Sequence, residues 1–224
     1  MKKDTENRIE DKIDLIIKYY NESIESMFDT SAGGKIRSEK GHLVEKIAEN
    51  LINITWTDVL KQDMGRLTTK PEKINIKVKD YLNYYNKIKG TYTDLKKEDL
   101  KDFVYKFSTD LHVKIDDNFV LSIECKSYTE ISMFRRIIFD AVLINNNYPK
   151  VKHCLLQLEN NFSKSNYHII QSYFDKRIDV ITLLDGNRNA KKPIHKREYK
   201  KELKKEKLYD AIECFESILK EYSK

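Results

Sequence analysis

The sequence is poor in the residues that cross-link, bend or anchor a chain. Its 224 residues include three cysteines, six glycines, three prolines and one tryptophan. Cys125, Cys154 and Cys214 are odd in number and form no C-x-x-C pair, which argues against a disulfide framework or a zinc site and favours reduced thiols in a cytoplasm. No apolar run has the length of a membrane span, and no signal-peptide segment follows Met1. Because there is no Pro- or Gly-rich linker, we expect one domain over residues 1–224.

Positive charge is concentrated near the C-terminus. The net charge is +6 at pH 7, yet the segment 188–207 alone contains ten Lys or Arg against three Glu. Lys196, Lys200 and Lys204 recur four residues apart, so a helix here would present a basic face that could neutralise phosphates. The alternative is an ordinary solvated face. We predict a basic helical tail over about 188–224. Its last part has an apolar seam that could pack on the body of the protein or on a second subunit, and we expect packing within the chain. The seam positions are Leu208, Ile212, Phe215, Leu219 and Tyr222.

Two segments in the middle of the chain alternate apolar and polar residues. They cover residues 109–115 and 121–126, and such alternation is typical of half-buried strands. The Asp-Asp-Asn sequence at 116–118 lies between them and favours a turn. The pattern therefore predicts a β-hairpin.

The hairpin brings charged side chains together. Successive side chains of a strand point to opposite faces, so Ile123 and Cys125 would face the core while Glu124 and Lys126 share the other side. Asp110 would join them from the partner strand. Two carboxylates and one ammonium on one side of a hairpin can hold a hard divalent cation and activate a water. The alternative is a surface hairpin whose outer face is merely charged.

The segments after the hairpin predict alternating helices and strands. Ser127 and Glu130 have the spacing of a capping box, and apolar residues at helical spacing continue from 131 to 144. A helix that links neighbouring strands predicts a mixed central β-sheet flanked by α-helices. The later predicted elements are a strand at 151–158, a helix at 166–177 and a strand at 179–184.

Two amphipathic helices are predicted before the hairpin. Glu45 lies on the second of them, and Glu49, one turn later, is the alternative to it as an acidic residue of a site. The Gly-Gly-Lys sequence at 33–35 lacks the spacing of a phosphate-binding loop, so we interpret it as part of a turn. The predicted elements are helices at about 5–28 and 38–52, a turn at 30–34, a strand near 74–78, and turns at Gly65, Pro71 and Gly90.

In these residues and in the order of its elements, the chain resembles the PD-(D/E)xK nuclease superfamily, and within it the type II restriction endonucleases. The motif residues are Asp110, Glu124 and Lys126, with Glu45 as a plausible fourth. Thr109 stands where the family name has proline. The resemblance implies an α/β fold with a restriction-endonuclease-like core, over about 38–186, and helical additions at the N- and C-terminal ends.

The resemblance also implies a chemistry. It implies a homodimer in a bacterial cytoplasm that cleaves double-stranded DNA at a specific sequence with Mg²⁺ and leaves 5′-phosphate ends. Asp110 and Glu124 would bind the metal, with the Cys125 carbonyl and Glu45 as further ligands, and Lys126 would position the attacking water. The candidate DNA contacts are Lys35, Arg37, Lys40, Arg135, Arg136, Gln157, Asn160 and Asn161.

Two other interpretations stay open. One is a structure-specific DNA repair nuclease or junction resolvase on the same fold, which would cut branched DNA and ignore sequence. The other is a non-catalytic DNA-binding module, in which the basic tail binds DNA and the carboxylates are incidental. Metal dependence separates the enzymes from the binding module, and discrete fragments separate the two enzymes.

Overall fold

The computed structural model describes residues 2–28, 33–77, 104–161, 164–174 and 178–223. The α-helices of these ranges are α1 (Lys2–Glu25), α2 (Gly33–Ile54), α3 (Ile131–Asn147), α4 (Lys164–Phe174) and α5 (Lys205–Leu219). The strands are β1 (Leu67–Lys70), β2 (Ile74–Lys77), β3 (Val104–Phe107), β4 (Leu111–Ile115), β5 (Asn118–Thr129), β6 (Lys152–Asn160) and β7 (Asp179–Thr182). None of these helices is long and apolar enough to cross a bilayer. The turn predicted at Gly90 lies outside the described residues.

The main sheet is mixed, as predicted. Its strand order is β1-β4-β5-β6-β7, with β1, β4 and β5 antiparallel and β5, β6 and β7 parallel. The strands β2 and β3 form a separate antiparallel pair, and β2 confirms the strand predicted near 74–78. Parallel neighbours require crossover connections, and α3 and α4 supply them.

Helices cover both faces of the main sheet. The helices α2 and α5 pack on one face, and α1 packs on α2 and α5. Leu43, Ile123 and Phe215 belong to the core between these layers. The helices α3 and α4 cover the other face, where Phe134 and Leu155 form a second cluster. Because β5 lies between two apolar layers, the side that carries Glu124 and Lys126 is also covered, and Glu124 is buried.

The capping box predicted at Ser127 is wrong. The strand β5 continues to Thr129 because its last residues pair with β6, with Tyr128 opposite Glu159. The helix α3 then begins at Ile131, and no side chain caps its first turn. Cross-strand pairing has overridden the local capping signal. The second helix also starts earlier than predicted, at Gly33.

The basic helical tail is also wrong in its first half. Residues 196–204 contain one short 3₁₀ turn, Arg197–Tyr199, and the helix α5 begins only at Lys205. The lysines do not form a basic helix face, because they are paired with carboxylates elsewhere in the fold. The pairs are Lys200–Glu25 at 2.9 Å, Lys201–Glu159 at 2.7 Å, Lys204–Asp185 at 2.6 Å and Lys205–Asp14 at 2.7 Å. The apolar seam of α5 is buried within the chain, as predicted.

Candidate active site

The turn of the hairpin is rigid. Asp116 and Asp117 both have positive φ, at 48° and 64°, the conformation that a two-residue hairpin turn needs and that Asp tolerates. Arg66 anchors the turn through Asp116. Its carbonyl accepts the Asp116 N–H at 2.9 Å, and its Nη2 lies 2.6 Å from Asp116 Oδ2. The turn fixes the first pairs of β4 and β5, and a β-bulge between Val113 and Lys114 then shifts the register by one residue.

The other end of the hairpin brings the three motif residues together. Leu111 pairs with Ile123, so Asp110 lies next to the start of β4, beside β5. Lys126 Nζ lies 2.6 Å from Asp110 Oδ2 and 2.6 Å from Glu124 Oε2. The side chains of Asp110, Glu124 and Lys126 are 27%, 10% and 17% exposed. We call them the trio.

Burial and neighbouring charges raise the pKa values of Glu124 and Lys126. Burial is the largest influence on Glu124; the Lys126 ammonium opposes it and the Asp110 carboxylate adds to it, so the pKa rises from 4.5 to about 7. Burial alone would lower the pKa of Lys126, but the two carboxylates outweigh it and the pKa is raised. Lys126 is therefore an ammonium at neutral pH, held between two acids.

The trio can supply oxygen ligands. The Cys125 N–H donates to Asp110 Oδ2 at 2.7 Å, and in an extended strand the carbonyl of the same residue points to the same side. Among the described residues, no three His, Cys, Asp or Glu side chains form a ready-made metal site. Mg²⁺ needs only one or two carboxylates, with waters and substrate oxygens completing its shell. Two carboxylates and one carbonyl are hard donors that fit such an ion.

Glu45 lies near this set without a direct contact to it in the structure. The helix α2 packs on β5, and the Glu45 carboxylate is among the charges that raise the pKa of the Cys125 thiol, after burial as the largest cause. His42 Nδ1 lies 3.3 Å from Glu45 Oε2. Glu49, the rival, is paired with Lys46 at 2.7 Å.

Asp140 is a carboxylate that the sequence analysis missed. It lies on α3 and lines, with Glu124, a cavity of about 10 Å³, the size of one water. Burial raises the pKa of Asp140, and the cations of Arg136 and Lys126 oppose the rise. Its only sequence signal is its spacing four residues after Arg136, which does not indicate that α3 lies over Glu124.

The basic candidates for DNA contact lie on two helices. Lys35 and Arg37 are exposed in the first turns of α2, and Arg135 and Arg136 are exposed on α3. Lys40 is half-buried, with its Nζ 3.1 Å from His195 Nδ1. These five cations stay predicted DNA contacts.

Of the three amide candidates, the structure contradicts Gln157, and Asn160 and Asn161 stay predictions. Gln157 is fully buried, and its amide donates to Tyr167 Oη at 2.9 Å and Thr182 Oγ1 at 3.0 Å. A side chain inside the fold cannot read bases, so this prediction does not fit the structure. Asn160 accepts a hydrogen bond from Tyr167 Oη at 3.0 Å. Asn161 is half-buried at the end of β6.

Comparisons with known proteins identify the family. A scan of protein-family models finds no match. The type II restriction enzyme DdeI of Desulfomicrobium norvegicum is 35% identical over an alignment of 234 positions, which covers 92% of this chain and 95% of the relative. A solved structure, described as the native BbvCI A2B2 tetramer at low resolution, matches with a TM-score of 0.42 and 13% identity over 99% of this chain and 92% of that one. On the identity and coverage of the sequence match, the chain belongs to the type II restriction enzymes.

Proposed function

We infer that this protein is a site-specific deoxyribonuclease that cleaves double-stranded DNA, and we propose that the trio carries out the reaction with Mg²⁺, leaving 5′-phosphate ends. Membership of the type II restriction enzymes supports the activity. One observation supports the assignment of the site: Lys126 Nζ lies 2.6 Å from the carboxylates of both Asp110 and Glu124 on one hairpin.

The charge requirements of the reaction match the trio. Cleavage of a phosphodiester places additional negative charge on the phosphoryl oxygens and on the leaving oxygen. Asp110 and Glu124 would hold Mg²⁺, with the Cys125 carbonyl and Glu45 as further ligands; when bound, the ion supplies Lewis acidity and a more acidic water. The Lys126 ammonium would orient the attacking water and offset charge on the phosphate. The buried sides of the hairpin would limit the access of bulk water.

We propose that the active form is a homodimer. A palindromic site has two-fold symmetry, and two copies of one chain related by a two-fold axis match it. Sedimentation velocity of the purified protein, with and without a duplex that contains its site, tests this. A species with the mass of two chains on DNA supports the proposal, and a single chain under both conditions contradicts it.

The first experiment is a digest of long duplex DNA with Mg²⁺, beside an EDTA control. Discrete fragments that disappear in EDTA support a sequence-specific metal nuclease, and sequencing of the ends gives the site and the position of the phosphate. A smear would contradict sequence specificity. Cutting confined to branched DNA would favour the structure-specific nuclease instead.

Substitutions in the trio test the assignment of residues. Asp110→Ala or Lys126→Ala should lower the cleavage rate at least about a thousandfold, which is on the order of 4 kcal/mol in the barrier, while DNA binding persists. Lys114→Ala is the matched control, because Lys114 lies on the neighbouring strand β4 and pairs with Glu72 outside the trio. Near-normal cleavage by either trio variant would remove that residue from the mechanism.

A further inference from the structure

The segment after β7 is fixed to the end of the main sheet. The Leu184 N–H donates to the Leu158 carbonyl at 2.9 Å, and the Arg188 N–H donates to the Asn160 carbonyl at 2.6 Å. Gly186 turns the chain between them with a φ of 71°, a conformation that glycine adopts without strain. The backbone of Arg188 is therefore held beside the end of β6.

The Arg188 side chain is stacked on β5. Its guanidinium carbon lies 3.5 Å from the centroid of the Tyr128 ring, and Tyr128 follows Lys126 by two residues on the same strand. The ion-pair contact with Glu130 is long, at 3.9 Å. Stacking uses the flat face of a guanidinium and leaves its N–H edge available for a ligand.

A second cation, Lys40 on α2, lies within range of the charge of Arg188. Burial is the largest influence that lowers the pKa of Lys40; the charge of Arg188 adds to it, and Glu159 opposes it. Lys40 Nζ lies 3.1 Å from His195 Nδ1. Among the residues that the structure describes, no carboxylate lies within 4 Å of this ammonium.

His195 is a neutral donor in this arrangement. Its pKa is lowered by burial and by the charges of Lys40 and Lys196, so the imidazole is uncharged at neutral pH. When Nδ1 accepts a hydrogen bond from Lys40, the ring proton resides on Nε2. The ammonium of Lys40 and the imidazole of His195 are then in contact, and the charge of Arg188 acts on the same ammonium.

The acids around Lys40 are paired with other cations. Glu159, the buried acid whose charge reaches Lys40, is itself paired with Lys201 at 2.7 Å. The lysines at 200, 204 and 205 are likewise paired with acids of α1 or Asp185. Lys40 is a partly desolvated cation, and an anion that hydrogen-bonds to such a cation stabilises it. The long contact of Arg188 with Glu130, at 3.9 Å, occupies one end of the guanidinium.

We propose that Lys40, Arg188 and His195 form a binding site for one phosphate of the DNA backbone, next to the phosphate that is cleaved. The inference rests on the proposed function. Two elements set the position of this phosphate site: β5 carries Tyr128 just beyond Lys126, and α2 carries Lys40 just before Glu45. Contacts to phosphates fix the register of a protein on DNA without reading bases.

Salt-dependent binding tests the phosphate site. The affinity of the full-length protein for a duplex that contains its site is measured in EDTA by fluorescence anisotropy at several salt concentrations. Arg188→Ala and Lys40→Ala should each weaken binding about tenfold. The slope of log K against log salt should fall in magnitude by about 0.9, the value for one phosphate, both in each single variant and in the double variant. Lys18→Ala, which removes an exposed lysine of α1, should change neither quantity.

Two further measurements separate the possible failures. If Arg188 only supports Tyr128, Arg188→Ala should lower the urea midpoint of unfolding and leave the salt slope unchanged, which would overturn the phosphate site. If all variants bind as tightly as the wild type with equal slopes, the site is wrong while the nuclease function stands. If the wild type neither binds nor cuts any duplex, the proposed function is wrong and the site with it.

Discussion

Replacing Lys126 with methionine should make the stability of the protein depend on pH above neutrality. Methionine keeps the length of the side chain and removes its charge. The ammonium lies 2.6 Å from a carboxylate oxygen of Asp110 and of Glu124, in a site where all three side chains are mostly buried. Its removal leaves two buried acids side by side.

The magnitude follows from the pKa of Glu124. In the wild type the pKa is raised from 4.5 to about 7, so the folded state binds the extra proton and stability falls as the pH rises from 4.5 to 7. In Lys126→Met the cation that opposed this rise is gone, so the pKa moves above 7 and the fall continues there. Removing one partner of a buried ion pair costs about 3 kcal/mol or more, and we expect about that deficit at pH 8.5.

At pH 6 Glu124 is protonated in both proteins, so the deficit of the variant should be clearly smaller than at pH 8.5. Urea unfolding of wild type and variant at the two pH values measures it. Lys114→Met is the matched control: its partner Glu72 has a lowered pKa, chiefly through the hydrogen bond from Lys114, and does not titrate in this range. A deficit of Lys126→Met that is equal at both pH values would refute the electrostatic account of the trio.

Three other substitutions test separate parts of the structure. His112→Phe should remove the pH dependence of stability that this residue causes between about pH 4 and 6.5. Burial lowers the pKa of His112 to about 4, so the wild type loses about 3 kcal/mol of stability as the pH falls through that window. Unfolding midpoints at pH 4.5 and 7 measure the effect, and equal pH dependence in both proteins would contradict it. Asp58→Ala should lower the free energy of unfolding by about 2 kcal/mol. This buried carboxylate lies 2.7 Å from Arg8 Nε and 2.5 Å from Lys12 Nζ, and the cost stays moderate because both cations can rehydrate after the loss. Urea unfolding measures it, and an unchanged midpoint would contradict it. Glu45→Gln should lower cleavage at limiting Mg²⁺ at least about tenfold, through the loss of a ligand, and Glu49→Gln should not; the reverse result would exchange their roles.

The hairpin that carries the trio could be predicted from the sequence because most of its determinants are local. Alternation indicated the two strands, and the Asp-Asp-Asn sequence indicated the turn, with Asp116 and Asp117 in the conformation that such a turn needs. The sequence did not indicate the β-bulge between Val113 and Lys114, which shifts the register by one residue and puts Asp110 on the same side as Glu124 and Lys126. Asp110 and Lys126 are only 16 residues apart. Once the register is given, the pleat alone places the trio on one side of the sheet.

The errors have the opposite cause, because each depended on a distant part of the chain. Ser127 has a capping signal, but pairing with β6 extends the strand past it. The lysines of 196–204 have helical spacing, but their carboxylates lie on α1, on β6 and after β7. Gln157 is a polar residue near the predicted end of a strand, where an exposed side chain is expected. The strand β6 instead continues to Asn160, and Tyr167 of α4 covers the amide. The periodicity of a segment does not indicate which distant residues it will contact.

The long reach of the segment after β7 has a consequence for how the protein assembles. The trio closes a loop of 16 residues, whereas Lys40 and His195 are 155 residues apart, and contacts between distant residues form late because their loop-closure entropy is large. A partly folded chain can therefore bring the trio together before Lys40 and His195 meet. If these residues bind a phosphate as proposed, this part of the affinity for DNA is gained later in folding than the trio.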